Sequence, residues 1–338
     1  MGNNRIHYFD VAKGILILLV IYGHIYGNSY AMDNNSLIMI RHTYSVFLPF
    51  YMPCFFMISG FCSNFNKETK SIFISCTRSI FLPSIVFSFF IYGNYLFDSN
   101  KMLSLLNNIL YYGGEFWFLS SLFLAKIIYC FLYKVFHKIG GNTLLFFISI
   151  ALFISCYIIL ILIPGPYYWY IDHTFLLLPY FCVGQLLRTK QYEFNKKSDF
   201  FYMALLPLCI FLSYKGIIKS EYFYFVPGIT LKLINTNISN LLPLLLLSFS
   251  GSFFLLRLSK IISHNTILEY IGRNSLIIYC VHCAILSRIL KILSPIYRTG
   301  NEITVATTVI ASILLTLFIS FVIVRIFNMK YMKILIGK

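Results

Sequence analysis

The sequence predicts an all-α fold: a polytopic bundle of about ten membrane-spanning helices with both termini in the cytoplasm. Three observations carry this. Of the 338 residues, 59% are hydrophobic, only 11% are charged, and the basic residues gather at the ends of apolar runs. Soluble domains sit nearer ~45–50% apolar and ~25% charged. A chain with so few polar groups cannot cover a water-facing surface.

A span needs about 20 mostly apolar residues. Runs of that kind fall near 9–27, 43–63, 72–96, 116–136, 144–163, 168–187, 199–213, 241–258, 267–289 and 305–327, with 222–234 as a candidate further or re-entrant segment. The run after Arg5 contains no small-residue cleavage site and carries recurring polar groups, so it reads as a retained first span, not a signal peptide. No repeat stands out, and no polar stretch is long enough for a separate soluble domain. Residues 1–338 read as one transmembrane domain.

The basic residues test the count. With the amino terminus inside, 18 Lys and Arg fall on the cytoplasmic side and 8 outside, while Lys126 lies within a span. That bias follows the positive-inside rule and needs an even number of spans. It also accounts for the net charge of +16 without nucleic acid, since no basic stripe stands apart from the apolar runs. All nine Cys lie in or beside such runs, where free Cys acts as a small hydrophobe. Cys280 and Cys283 have CxxC spacing but no second ligand pair nearby, so no metal is expected.

Ionisable groups inside a span cost several kcal/mol on insertion scales, so each needs a reason. The first span carries Asp10, Lys13 and His24. Lys13 and His24 are eleven residues apart, about three turns, so they share a face about 16 Å apart along the axis. Lys13 either snorkels to the interface or receives an anionic group such as a phosphate. His24 either hydrogen-bonds within the bundle or serves as a general base, for which a near-neutral pKa is suited. In the second span Pro53 frees a backbone carbonyl, and Ser59-Gly60 permits close helix approach. Arg78, ahead of Pro83, either clamps a phosphate or anchors the interface. Glu115 and Trp117 open the fourth span: the Trp suits an interfacial anchor, and the carboxylate can orient an imidazole at similar depth. The ninth span holds Gly272, Arg273, Asn274 and Ser275 near one end, with Tyr279 and His282 deeper. Ser275 and His282 share a face. Asp172 and His173 stand at a helix entry. No GxSxG, Walker, GxGxxG or HExxH pattern occurs.

Together these stretches resemble the acyltransferase-3 family of integral membrane acyltransferases, nearest its fucose-4-O-acetylase-like and polysaccharide O-acetyltransferase members. The matching stretches are DVAKGILILLVIYGH (10–24), MPCFFMISGF (52–61), Arg78 to Pro83, EFWFL (115–119) and IGRNSLIIYCVH (271–282). The resemblance implies transfer of an acetyl or other acyl group from cytoplasmic acetyl-CoA to a hydroxyl of an extracytoplasmic or lipid-linked glycan, in the inner membrane of a bacterium. Many members carry Arg where Lys13 stands; Lys keeps the charge but loses the planar fork that grips phosphate bidentately. By the resemblance His24 is catalytic, deprotonating the acceptor or relaying the acyl group, assisted by Glu115 and His282. Lys13 and Arg78 bind the coenzyme phosphates, with Asp10 holding Lys13 and Ser59 on the donor side. Trp117, Tyr279 and Asn274 face the acceptor. The expected partners are acyl-CoA, a glycan and membrane lipid, with no nucleic acid and no metal, and a homo-oligomer is allowed. A transporter or flippase of lipid-linked glycan is the alternative that intramembrane charges and broken helices also suit.

Overall fold

The structure, a computed structural model, describes residues 6–29, 38–93, 98–163, 167–190 and 241–337, with Pro207 and Phe211. Apart from those last two residues, the sequence-derived segments 199–213 and 222–234 lie outside the described residues. So do Arg5, Lys196, Lys197, Lys215, Lys219, Lys232 and Lys338. Among the described residues every regular element is helical. Among these residues six helical segments are long and apolar enough to cross a membrane, and the chain is an integral membrane protein.

The chain forms two compact units. Unit 1 contains α1 (His7–Ser29), the first part of α2 (Ile38–Cys62), α8 (Leu241–Ile262), α9 (Thr266–Arg273), α10 (Ser275–Thr299) and α11 (Glu302–Phe327). Helix α1 is its hub, packing on α8, α9, α10 and α11. Its buried residues Val11, Leu16, Ile17, Val20 and Ile21 supply that core.

The crossing of α1 and α9 has no room for side chains. A Cβ on Gly14 would run into the Leu268 carbonyl, and one on Gly272 into the Asp10 carbonyl. Small residues let helix backbones meet in a bilayer, where lipid tails are as apolar as the helices and contact must come from close packing. Asn265 caps α9, its Oδ1 accepting from the Leu268 amide at 2.9 Å. The helix stops at Asn274, whose side chain donates to the Tyr270 carbonyl at 2.9 Å and accepts from Asn328 at 3.1 Å. The single apolar run expected over 267–289 is therefore two helices, because Asn274 competes for the backbone hydrogen bonds of a continuous one.

Helix α11 packs on α10 through a column of small hydroxyls. Thr308, Ser312, Thr316 and Ser320 each donate to the carbonyl four residues earlier, which satisfies them without water. Tyr297 of α10 meets Ser312 at 3.0 Å. On α8, Gly251 leaves space for Phe50 of α2, and the Ser252 hydroxyl donates to the Phe50 carbonyl at 3.4 Å.

Unit 2 holds the end of α2, then α3 (Thr69–Cys76), a π-helical turn (Thr77–Phe81), α4 (Leu82–Ile91), α5 (Ser99–Tyr112), α6 (Trp117–Leu162), a 3-10 turn (Tyr168–Tyr170) and α7 (Ile171–Thr189). The tail 329–337, with a 3-10 helix over Met332–Ile336, also belongs to it. Helix α6 is bent at Gly141, whose φ of 61° only glycine adopts at little cost. That bend separates the two spans expected at 116–136 and 144–163. Helix α7 docks on α6 and on the end of α2: Gly60 lies against the Phe181 carbonyl and Gly184 against the Met57 carbonyl. The last carbonyls of α2 have no partner within their own helix. Gln185 and Arg188 supply it, donating to the carbonyls of Gly60, Phe61 and Ser63. Helix α5 was not among the expected spans. Asp98 starts it, its carboxylate accepting from the amides of Asn100 and Lys101, and Gly113 ends it at φ 75°.

The α1–α9 crossing generates a prediction. Gly272→Val should overpack it, costing at least about 1–3 kcal/mol, and lower the melting temperature and folded yield in detergent. Gly93→Ala, whose Cβ would meet nothing within 4 Å, should leave both unchanged. Equal behaviour of the two variants would show that the crossing has slack.

Candidate functional site

The two intramembrane imidazoles of unit 1 meet. His24 Nδ1 and His282 Nε2 are 3.4 Å apart, and the rings stand edge to face with centroids 4.7 Å apart. His24 lies on α1 and His282, which is 1% exposed, on α10. The geometry assigns the tautomers. His24 Nδ1 is 2.8 Å from the Val20 carbonyl, and His282 Nδ1 is 2.6 Å from the Tyr279 carbonyl. A carbonyl only accepts, so each Nδ1 carries the hydrogen and each Nε2 the lone pair. The His282 lone pair then faces the His24 Nδ1–H and the Cys283 thiol, whose sulfur is 3.3 Å away. Tyr279 packs beside His282 at 5.6 Å between centroids.

At the other end of α1, two buried carboxylates gather the cations. Asp10, 2% exposed, lies 2.9 Å from Lys13 Nζ and 3.5 Å from Arg273 Nε. Glu269, on the face of α9 that packs on α1, takes Arg273 Nη2 at 2.5 Å, His7 Nδ1 at 2.9 Å and His264 Nδ1 at 3.2 Å. The hydrogen bond from His7, then those from His264 and the charge of Arg273, hold the Glu269 carboxyl below the usual carboxylate range. Asp10 thus holds Lys13, as expected, and also reaches Arg273 on a second helix. Asn274, 6% exposed, stands at the break that follows.

Four of the expected residues belong to unit 2. Glu115 accepts from the Asn108 amide at 2.7 Å. Trp117 is 9% exposed, its ring 5.0 Å from that of His173, which lies 3.0 Å from Asp172. Little of the Trp117 face is open, because His173 and Phe118 cover it. Ser59 is half-buried, and its carbonyl accepts from Ser63 at 2.8 Å. Arg78 is exposed in the π-helical turn, a form that recurs at functional sites. The tail returns to it, with Gly337 at φ 70° lying against the Arg78 carbonyl.

Among the described residues, two groups of side chains have the composition and closeness to ligate a metal ion: His24, His282 and Cys283, and His7, His264 and Glu269. Sequence reading singled out none of His7, His264 and Glu269. The Glu269–Arg273 spacing, one helical turn, was the available signal; the approach of His7 from α1 left none.

Among the described residues the chain is an all-helical membrane protein with an imidazole pair at one place in unit 1 and two carboxylate-held cations at another. The acyltransferase-3 family model, an acyltransferase domain, matches residues 6–325, and the chain belongs to that family. The protein is therefore a membrane acyltransferase. No curated protein and no solved structure matches the chain.

Asp10 accounts for two cations, so its loss should be coupled to theirs. Asp10→Asn should lower the melting temperature measurably, by roughly 1–3 kcal/mol in stability. Lys13→Ala added to it should cost clearly less than Lys13→Ala alone. Additive losses would show that the two side chains do not act together.

Proposed function

We propose that the chain is an O-acetyltransferase that moves an acetyl group from cytoplasmic acetyl-CoA to a hydroxyl of an extracytoplasmic or lipid-linked glycan. On this reading it lies in the inner membrane of a bacterium, crosses it about ten times with both termini inside, and works as one domain over residues 1–338. The observation that carries the reading is the His24–His282 pair, with His24 Nδ1 held by the Val20 carbonyl and the base lone pair therefore on Nε2.

His24 Nε2 takes the proton of the acceptor hydroxyl as its oxygen attacks the thioester carbonyl. The new C–O bond forms, the C–S bond breaks, and the imidazolium returns the proton to the leaving thiolate. While His24 is charged, the Val20 carbonyl and the His282 Nε2 lone pair face its Nδ1–H and stabilise the cation. That is the role a carboxylate plays in other base-and-orienter pairs. A neutral orienter suits a bilayer interior, where an isolated carboxylate is costly.

Lys13 lies about 16 Å along the helix from His24. Lys13 in unit 1 and Arg78 in unit 2 are each assigned to the coenzyme phosphates, and Asp10 sets the Lys13 rotamer. Ser59 stands on the donor side. Tyr279, packed against His282, contacts the acceptor, and Glu115 assists at the acceptor end.

His24→Ala in purified membranes with labelled acetyl-CoA should reduce transfer by at least about 10²–10⁴-fold while the protein still inserts. His282→Ala should slow transfer less, through kcat. Lys13→Ala should mainly raise the KM for acetyl-CoA. Near-wild-type transfer by His24→Ala would refute the assignment. Glycan translocation without thioester consumption would point to a flippase instead.

A further inference from the structure

The cluster of His7, His264 and Glu269 has no part in this transfer chemistry. Two imidazoles present Nδ1 to the two oxygens of one carboxylate, at 2.9 and 3.2 Å, with ring centroids 4.6 Å apart. The three ligand atoms lie within 4.8 Å of one another. We propose that these residues form a binding site for one divalent transition-metal ion of the zinc class.

Donor type comes first. Two neutral imidazoles and a carboxylate suit zinc and its neighbours, whereas calcium and magnesium call for oxygen alone. Spacing agrees. Ligand atoms about 2.0–2.1 Å from a tetrahedral ion stand about 3.3 Å from each other, so the two imidazole–carboxylate separations need to change by only tenths of an ångström. On binding, each imidazole takes its Nε2–H tautomer, with the hydrogen on the exposed side of the ring and the Nδ1 lone pair towards the ion, and those two short contacts become ligand edges.

The carboxylate is also held in place. Glu269 is 6% exposed, and Arg273 fixes one of its oxygens at 2.5 Å; such outer partners keep ligands oriented. Arg273 and Lys13 are offset by Asp10 and Glu269, so the surroundings are close to neutral before the ion arrives. Access is open on the imidazole side, with the side chains of His7 and His264 44% and 69% exposed, which leaves a position for water. The ion would pin the first turn of α1 to the start of α9, next to the glycine crossing.

The test uses the full-length chain in detergent, freed of any polyhistidine tag, stripped with chelator and titrated with Zn(II) by calorimetry and with Co(II) by visible absorption. One equivalent should bind, with Co(II) bands of a low-symmetry nitrogen and oxygen site. His264→Ala, at a well-exposed position, and His7→Ala should each weaken binding at least tenfold, and His282→Ala should not. Absence of stoichiometric binding would overturn the proposal. So would binding that His282→Ala removes and His264→Ala spares, because the ion would then sit at the His24–His282–Cys283 group.

Discussion

The close approach of α1 and α9 at Gly14 and Gly272 is the constraint on which unit 1 depends. Neither glycine tolerates a Cβ, because a carbonyl of the other helix already occupies the space. With the backbones in contact, the side chains on either side of the crossing have fixed neighbours. Asp10 reaches Arg273 across it, and His7 reaches Glu269. In lipid there is no hydrophobic force to press helices together, so this contact rests on packing and on the polar groups that flank it.

Polar satisfaction is the second theme. Buried hydroxyls of α11 return to their own helix, and the frayed carbonyls at the end of α2 are met by Gln185 and Arg188. Both imidazoles of the candidate site are held by carbonyls of their own helices at Nδ1. This uniformity has a chemical consequence. Each ring is a single tautomer, and the pair has a direction, from the Nδ1–H of His24 towards the lone pair of His282.

Much of this was legible in the chain. The apolar runs located most of the long helices that the structure describes, because a bilayer demands long apolar segments. The intramembrane ionisable residues drew attention to themselves by their cost. The pairing of Asp10 with Lys13 was implied by the family resemblance. The short helix α5 escaped because it is only partly apolar, although Asp98 and Gly113 mark its ends as caps.

By itself the sequence determined the class of protein, most of the long apolar helices, and the residue types bearing on the chemistry: composition and local spacing act within one segment and need no partner. Only the tertiary structure decided which of those residues meet. Sequence reading placed His24 with Lys13 and His282 with Ser275, each along one helix, whereas the fold sets His24 against His282, 258 residues away. It likewise draws His7 to Glu269 across 262 residues. Such contacts depend on where two helices can touch; for His7 and Glu269 that is the crossing of α1 and α9, set by the missing side chains at Gly14 and Gly272, whose meaning appears only when both helices are present.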